Sequence, residues 1–268
     1  MPATIQKILK PTKYRAVDTS GNNNHGQIYS GRALEFDGVA DYLTITTTNN
    51  EQANDVFGAY LKTFACWVKF NDVTSHEDII AGGFLGPSSI GMHDGHIGTS
   101  STVLDANDVK TVNKVEANTW YRLVVVSNVD VSDSDAIIAA YNNNFSNFSI
   151  YLNGQKQTLE AGNMYRSSLI MMLGARKHIS DGISIFLDGY LSDVQAWDTE
   201  WTQSDVTFDY LNPESLALNG GGTSLTESNL KVWYPMQDGH RGQQSYILDA
   251  ANTGLSDAVF SDDFSTNT

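Results

Sequence analysis

The sequence predicts an all-β protein on three observations. Apolar and polar residues alternate with period two in segment after segment, as in Phe64-Ala65-Cys66-Trp67-Val68-Lys69-Phe70, the pattern of a strand with one face buried. Tight-turn dipeptides separate these segments, among them Asp37-Gly38, Asp94-Gly95 and Asn153-Gly154. A single stretch, 202–211, carries helix signals.

Taken in order, Leu34 to Leu43 reads as two strands around Asp37-Gly38. In the next strand, Phe64, Cys66, Val68 and Phe70 share one face, and Ala65, Trp67 and Lys69 the other. Trp120 to Val126 is apolar on both faces, as expected of a central strand covered on two sides. Phe148 to Leu152 enters the Asn153-Gly154 turn and returns over Lys156 to Leu159. Ser168 to Gly174 and Ile183 to Trp197 complete the series. Thr202 is placed to cap the helix with Asp205 three residues on, Val206, Tyr210 and Leu211 line one side, and Asn212-Pro213 ends it. After a Gly-rich loop over 215–228, Asn229 to Met236 is a late strand. Two polar stretches, 128–147 and 99–114, read as excursions from the sheet.

A chain of 268 residues with 41% apolar content is long enough to bury a core without covalent staples. The formal net charge of −15 excludes nucleic acid as an expected partner, since phosphate binding needs clustered Lys and Arg. The early cations Lys7, Lys10, Lys13 and Arg15 stand together, and are the candidate contacts to an acidic neighbour. With Cys66 alone there is no internal disulfide, and its apolar strand marks it as a buried, inert thiol. No stretch approaches the length of a membrane span, and the first residues lack the apolar region of a secretory signal.

Several pieces, in this order, resemble the laminin-G-like (concanavalin A-like) jelly-roll family: Asp18 to Gly26, Leu34 to Leu43, Phe64 to Phe70, Trp120 to Val126, Ile150 to Gly154, Leu173 to Arg176 and Phe186 to Val194. The resemblance implies two antiparallel sheets packed face to face, a jelly-roll sandwich with loops at its rim. Family members usually open on a strand resembling Trp-x-Pro-(Met/Leu)-x-(Asp/Glu)-Gly. Here that pattern is Trp233-Tyr234-Pro235-Met236-Gln237-Asp238-Gly239, near the C-terminus, followed by Leu248 to Gly254 as an echo of the opening turn. The expectation is a circular permutation in which strand 230–236 fills the slot left at the start. The organisation expected is a basic arm over 1–16, a sandwich over 17–240 with an insertion at 128–147, and a tail over 241–268. The Lys10 to Lys13 lead and the Asn212 to Leu216 exit also look like virion proteins of tailed, especially marine, bacteriophages.

Catalytic signals are sparse. The fold also hosts glycosidases, but the Glu-x-Asp-x-x-Glu strand that aims paired carboxylates into a cleft is absent. There is no Gly-x-Ser-x-Gly elbow and no phosphate-cradling loop with its Lys. Calcium candidates are Asp37 and Asp41 at the first hairpin. In relatives a carboxylate on the last long strand completes an ion site; this chain has Ser192 there, with Asp193 beside it. His93 and His96 flank Asp94-Gly95, two imidazoles without a third ligand in the motif. Trp67, Trp120 and Trp197 read as core residues, and Trp201 as core or surface. The expected function is a non-enzymatic module of a phage virion, in the capsid or a tail fibre. It would contact other virion proteins in a symmetric assembly and meet cell-surface glycans, with no nucleic acid and no membrane insertion. It would be made in the host cytoplasm. The alternative is a free, calcium-dependent carbohydrate-binding lectin.

Overall fold

A computed structural model describes residues 33–45, 61–82, 89–100, 108–127, 148–160, 162, 171–177, 182–212, 217 and 223–236, together with the backbone of short strands at 15–16, 26–27, 137–138, 164–165, 246–247 and 258–260. In chain order the strands of the two main sheets are β1 (Leu34–Asp37), β2 (Leu43–Thr44), β3 (Thr63–Phe70), β4 (His76–Ala81), β5 (Ser89–His93), β6 (His96–Ser100), β7 (Lys110–Thr111) and β8 (Trp120–Ser127). They continue as β9 (Phe148–Leu152), β10 (Gln155–Lys156), β11 (Leu159–Glu160), β12 (Met172–Leu173), β13 (Asp188–Trp197), β14 (Leu230–Tyr234), β15 (Tyr246–Ile247) and β16 (Ala258–Phe260). Among the described residues one α-helix, α1 (Gln203–Leu211), follows β13.

The expected antiparallel sandwich is what forms. The first sheet runs β10-β9-β8-β3-β13-β14, with β1 also paired to β13. The second runs β11-β7-β6-β5-β4-β12-β2-β16-β15. Phe64, Cys66, Val68 and Phe70 of β3 face inward as the alternation requires, meeting Ile80, Ile90, Met92 and Leu173 of the opposing sheet in the main core. Ala65 faces the other way, into a second apolar layer with Val124, Trp197, Trp201, Val206 and Trp233. This layer lies beneath α1, so β8 from Arg122 onward is covered on both faces, as the apolar residues on both of its sides indicated.

β14 completes the first sheet. Residues Val194 to Trp197 pair with Tyr234 to Leu230, while Asp188 to Leu191 pair with Asp37 to Leu34. β1 and β14 therefore share one edge of β13 end to end, although roughly the whole of the sandwich sequence separates them. This is the slot predicted for the Trp-x-Pro segment, and Trp233 sits in it with only 8% of its surface exposed.

Four local expectations are corrected. Lys156 to Leu159 is not one returning strand: β10 pairs with β9 in the first sheet, and β11 pairs with β7 in the second. The chain changes sheets there, a step that alternation within four residues does not reveal. The stretch 99–114 is not wholly an excursion, because Thr99 lies on β6 and Val109 is fully buried beside β7. Ile183 to Trp197 is also not one strand, since Ile183–Ser184 pairs with Arg176–Lys177 before β13 begins. Finally, Leu211 of α1 is 67% exposed, and the buried positions of the helix are Asp205, Val206 and Asp209. An ion pair at Asp209, described below, decides that orientation. Of the proposed arm, insertion and tail, only short backbone segments fall within the described residues.

Candidate functional site

The outer face of the first sheet has two parts. Helix α1 lies over one, and holds its place through a buried polar centre. Thr202 caps the helix with a reciprocal box: Asp205 N–H donates to Thr202 Oγ1, and Thr202 N–H to Asp205 Oδ2 at 2.7 Å. One turn later Asp209 accepts both Nε (2.6 Å) and Nη2 (2.9 Å) of Arg122 from β8. Arg122 Nη1 donates to the backbone carbonyl of Asp193 at 2.9 Å and lies 3.1 Å from its carboxylate. Asp193 occupies a β-bulge with φ +44°, a conformation that Asp tolerates better than most residues. Its carboxylate accepts Gln195 Nε2 and, at 2.9 Å, Trp233 Nε1 from β14. Burial pushes the Asp193 carboxyl up to about 6, against the pull of Arg122. The cluster is closed and fully satisfied, and its work is to pin helix to sheet.

Beyond the helix the same face is open. In register across four strands stand Trp120 of β8, Lys69 of β3, Tyr190 of β13 and Glu35 of β1. Trp120 is 39% exposed, and its ring centroid lies 6.3 Å from that of Tyr190. The Lys69 ammonium sits between them, 4.2 Å from the Tyr190 centroid and 5.9 Å from that of Trp120. Tyr190 donates its hydroxyl to Glu35 Oε1 at 2.6 Å, which with partial burial and the nearby carboxylates pushes the phenol up to about 12. Trp67, two residues along β3 on the same face, stacks toward Tyr210 of α1 at 6.1 Å and marks the boundary with the covered part. Large aromatic faces, a cation and a carboxylate therefore line one accessible row. Such a surface can stack on apolar ring faces and exchange hydrogen bonds at their edges.

The candidates from sequence distribute differently. Asp37 and Asp41 do come together, but around their own turn. Asp37 Oδ1 accepts the N–H groups of Val39, Ala40 and Asp41, and Asp41 Oδ2 accepts that of Asp37. Despite some burial, these amides hold the Asp37 carboxyl below its ordinary value. Asp193 belongs instead to the Arg122 centre on another stretch of β13. Among the described residues, no three His, Cys, Asp or Glu side chains are grouped so as to hold a metal ion. His93 and His96 face each other across their hairpin, and His76 stands opposite His93 on β4, in a row the sequence spacing did not show. His96 Nδ1 is engaged with the Thr111 carbonyl at 2.7 Å. Next to the row, Asp78 is fully buried and paired with Arg176 at 3.1 Å, closed off from solvent. Lys7, Lys10 and Lys13 lie outside the described residues, and of Arg15 only the backbone is described. Trp197 and Trp201 are core, as read for the first. Trp120 is not, which corrects the sequence reading: it begins its strand beyond the reach of α1. Lys69, Tyr190 and Glu35 were missed as site residues, because only the pairing register aligns them.

No family model matches the chain, and no curated protein sequence does. Solved structures do. A "putative carbohydrate binding protein" from Bacteroides ovatus is similar over 85% of this chain and 57% of its own, with a TM-score of 0.55 at 13% identity. This chain thus spans little more than half of that structure, and the likeness establishes a shared β-sandwich fold. Weaker likenesses are to the Ruminococcus gnavus IT-sialidase CBM40 bound to α2,3-sialyllactose, with a TM-score of 0.40 at 9% identity over 65% of this chain and 96% of that one. A Trypanosoma rangeli sialidase matches with a TM-score of 0.43 at 13% identity over 69% of this chain and 28% of its own.

Proposed function

We propose that this chain is a non-catalytic carbohydrate-binding β-sandwich module, which holds a saccharide on the row Trp120–Lys69–Tyr190–Glu35. The observation that carries the reading is the exposed indole at the head of that row, on the part of the outer face that α1 leaves open. A half-exposed Trp offers apolar area to the C–H face of a sugar, while the polar groups beside it receive its hydroxyls. The row has one carboxylate, Glu35, already engaged by Tyr190, whereas glycoside hydrolysis ordinarily uses a flanking pair. The fold shared with the Bacteroides ovatus structure is compatible with this role.

Titration with a panel of soluble polysaccharides, followed by calorimetry, tests the reading. Trp120→Ala is expected to weaken binding by about tenfold or more, the loss of a stacking surface, with an unchanged circular dichroism spectrum. Undiminished binding by that variant sinks the proposal.

A finer placement, as a component of a tailed-bacteriophage particle, is also proposed, supported by the sequence resemblance and the cations Lys7, Lys10, Lys13 and Arg15. On that placement a protein lacking residues 1–15 fails to incorporate into particles. Normal incorporation counts against it.

A further inference from the structure

We infer that the saccharide held on this row is acidic, with its carboxylate or sulfate paired to Lys69. This rests on the row being the glycan site, and goes on to name the class of sugar.

The inference starts from the company Lys69 keeps. The chain has 31 Asp and Glu against 16 Lys and Arg, so a lysine ordinarily finds a carboxylate. Of the seven described lysines, Lys62, Lys110, Lys114 and Lys231 each lie within 4.0 Å of one, and Lys156 and Lys177, which do not, lie outside the row. Lys69 has none among the described residues. The carboxylate in its own row, Glu35, stands two strands away, beyond Tyr190, and accepts the Tyr190 hydroxyl. Two ring faces hold the ammonium in place instead. An aromatic quadrupole attracts a cation but offers its N–H groups no lone pair as strong as an oxygen's. The donors of Lys69 are therefore steered, partly ordered and left to solvent. An anionic substituent can take them by displacing water alone, with no internal ion pair to break. Its sugar ring then lies over Trp120, and the second oxygen of Glu35, Oε2, is the acceptor for hydroxyls further along, Oε1 being held by Tyr190. The net charge of −15 works against a polyanion at long range. A preference for acidic sugars must then come from this one cation, and a single substitution can remove it.

The test uses the full chain with alginate and chondroitin sulfate as acidic probes, and dextran and xylan as neutral ones. The expected result is binding of at least one acidic probe about tenfold or more tighter than the neutral ones. That binding should weaken as salt is raised from about 0.1 M to about 1 M, where the screening length falls from about 10 Å to about 3 Å. Lys69→Met should abolish the preference, bringing the affinity for the acidic probe down to that for the neutral ones with the melting temperature unchanged, and Lys69→Arg should restore it. Equal affinity for acidic and neutral probes, or a silent Lys69→Met, overturns the inference, and if Trp120→Ala still weakens binding the glycan reading stands without it. Absence of binding to any probe, or a silent Trp120→Ala, overturns both.

Discussion

Glu77 turns its carboxyl toward the interior of the sandwich, in register with the core residue Met92. It is 1% exposed, and accepts the Asp188 N–H at 3.2 Å and the Ser75 hydroxyl at 3.0 Å. Burial, with smaller contributions from the Asp188 and Asp72 charges, pushes the carboxyl up to about 8. The folded protein thus keeps a proton that the unfolded chain, near the ordinary 4.5, gives up. Stability from this group is complete below about 4.5 and is lost as pH rises through about 8. Asp193, pushed up to about 6, contributes in the same sense at the acid end, so the interval from pH 6 to 8 isolates Glu77. Denaturant unfolding across that interval should show stability falling by up to about 1.4 kcal/mol per pH unit. Glu77→Gln should flatten the slope, and an unchanged slope in that variant refutes the assignment. Cys66 shows the same physics without a consequence for function. Burial pushes its thiol up to about 12, so it stays protonated and inert.

At the scale of elements, α1 is fixed by one arginine. Its box of Thr202 and Asp205 starts it, but the apolar side of a nine-residue helix is narrow, and Val206 is the apolar position it buries. Arg122 supplies the rest by gripping Asp209 from the sheet while also meeting Asp193. Replacing Arg122 with Met strands two carboxylates in a site with no access to water. That should destabilise the fold by about 3–5 kcal/mol, measured as a shift in urea midpoint. Adding Asp209→Leu should recover part of the loss, because it removes one of the stranded charges. A single variant within about 0.5 kcal/mol of the parent would mean the pair does not hold the helix. The capping half of this arrangement is legible in sequence, since Thr202 and Asp205 are three residues apart. The arginine half is not: residues 122, 193 and 209 meet only because β8, the bulge of β13 and α1 are stacked.

For the whole molecule, the short-range signals proved reliable in proportion to how local their physics is. Period-two alternation located β3 and its inward face, because side chains on one strand must alternate whatever the neighbours do. Asn153-Gly154 located a hairpin, because its turn requires left-handed backbone that these residues adopt cheaply, and both have positive φ. The late Trp233 segment was legible as a missing opening strand, because the same residues are needed to fill the same slot wherever they fall in the chain. Alternation reports that a residue lies on a face, but is silent on what covers it. Trp120 and Trp197 both begin or end apolar strands, and one is 39% exposed while the other is 1% exposed. The difference is the span of a single helix. By itself, then, the amino-acid order determined the long strands such as β3, β8 and β9, their inner faces, the tight turns, the cap of the helix and the Trp233 segment as a strand, since each depends on residues within a few positions of one another. Only the tertiary structure decided which edges those strands share, which outer face stays open, and that Trp120, Lys69, Tyr190 and Glu35 form one row. Those outcomes are pairings between strands distant in the chain, whose free energy comes from the assembled interior.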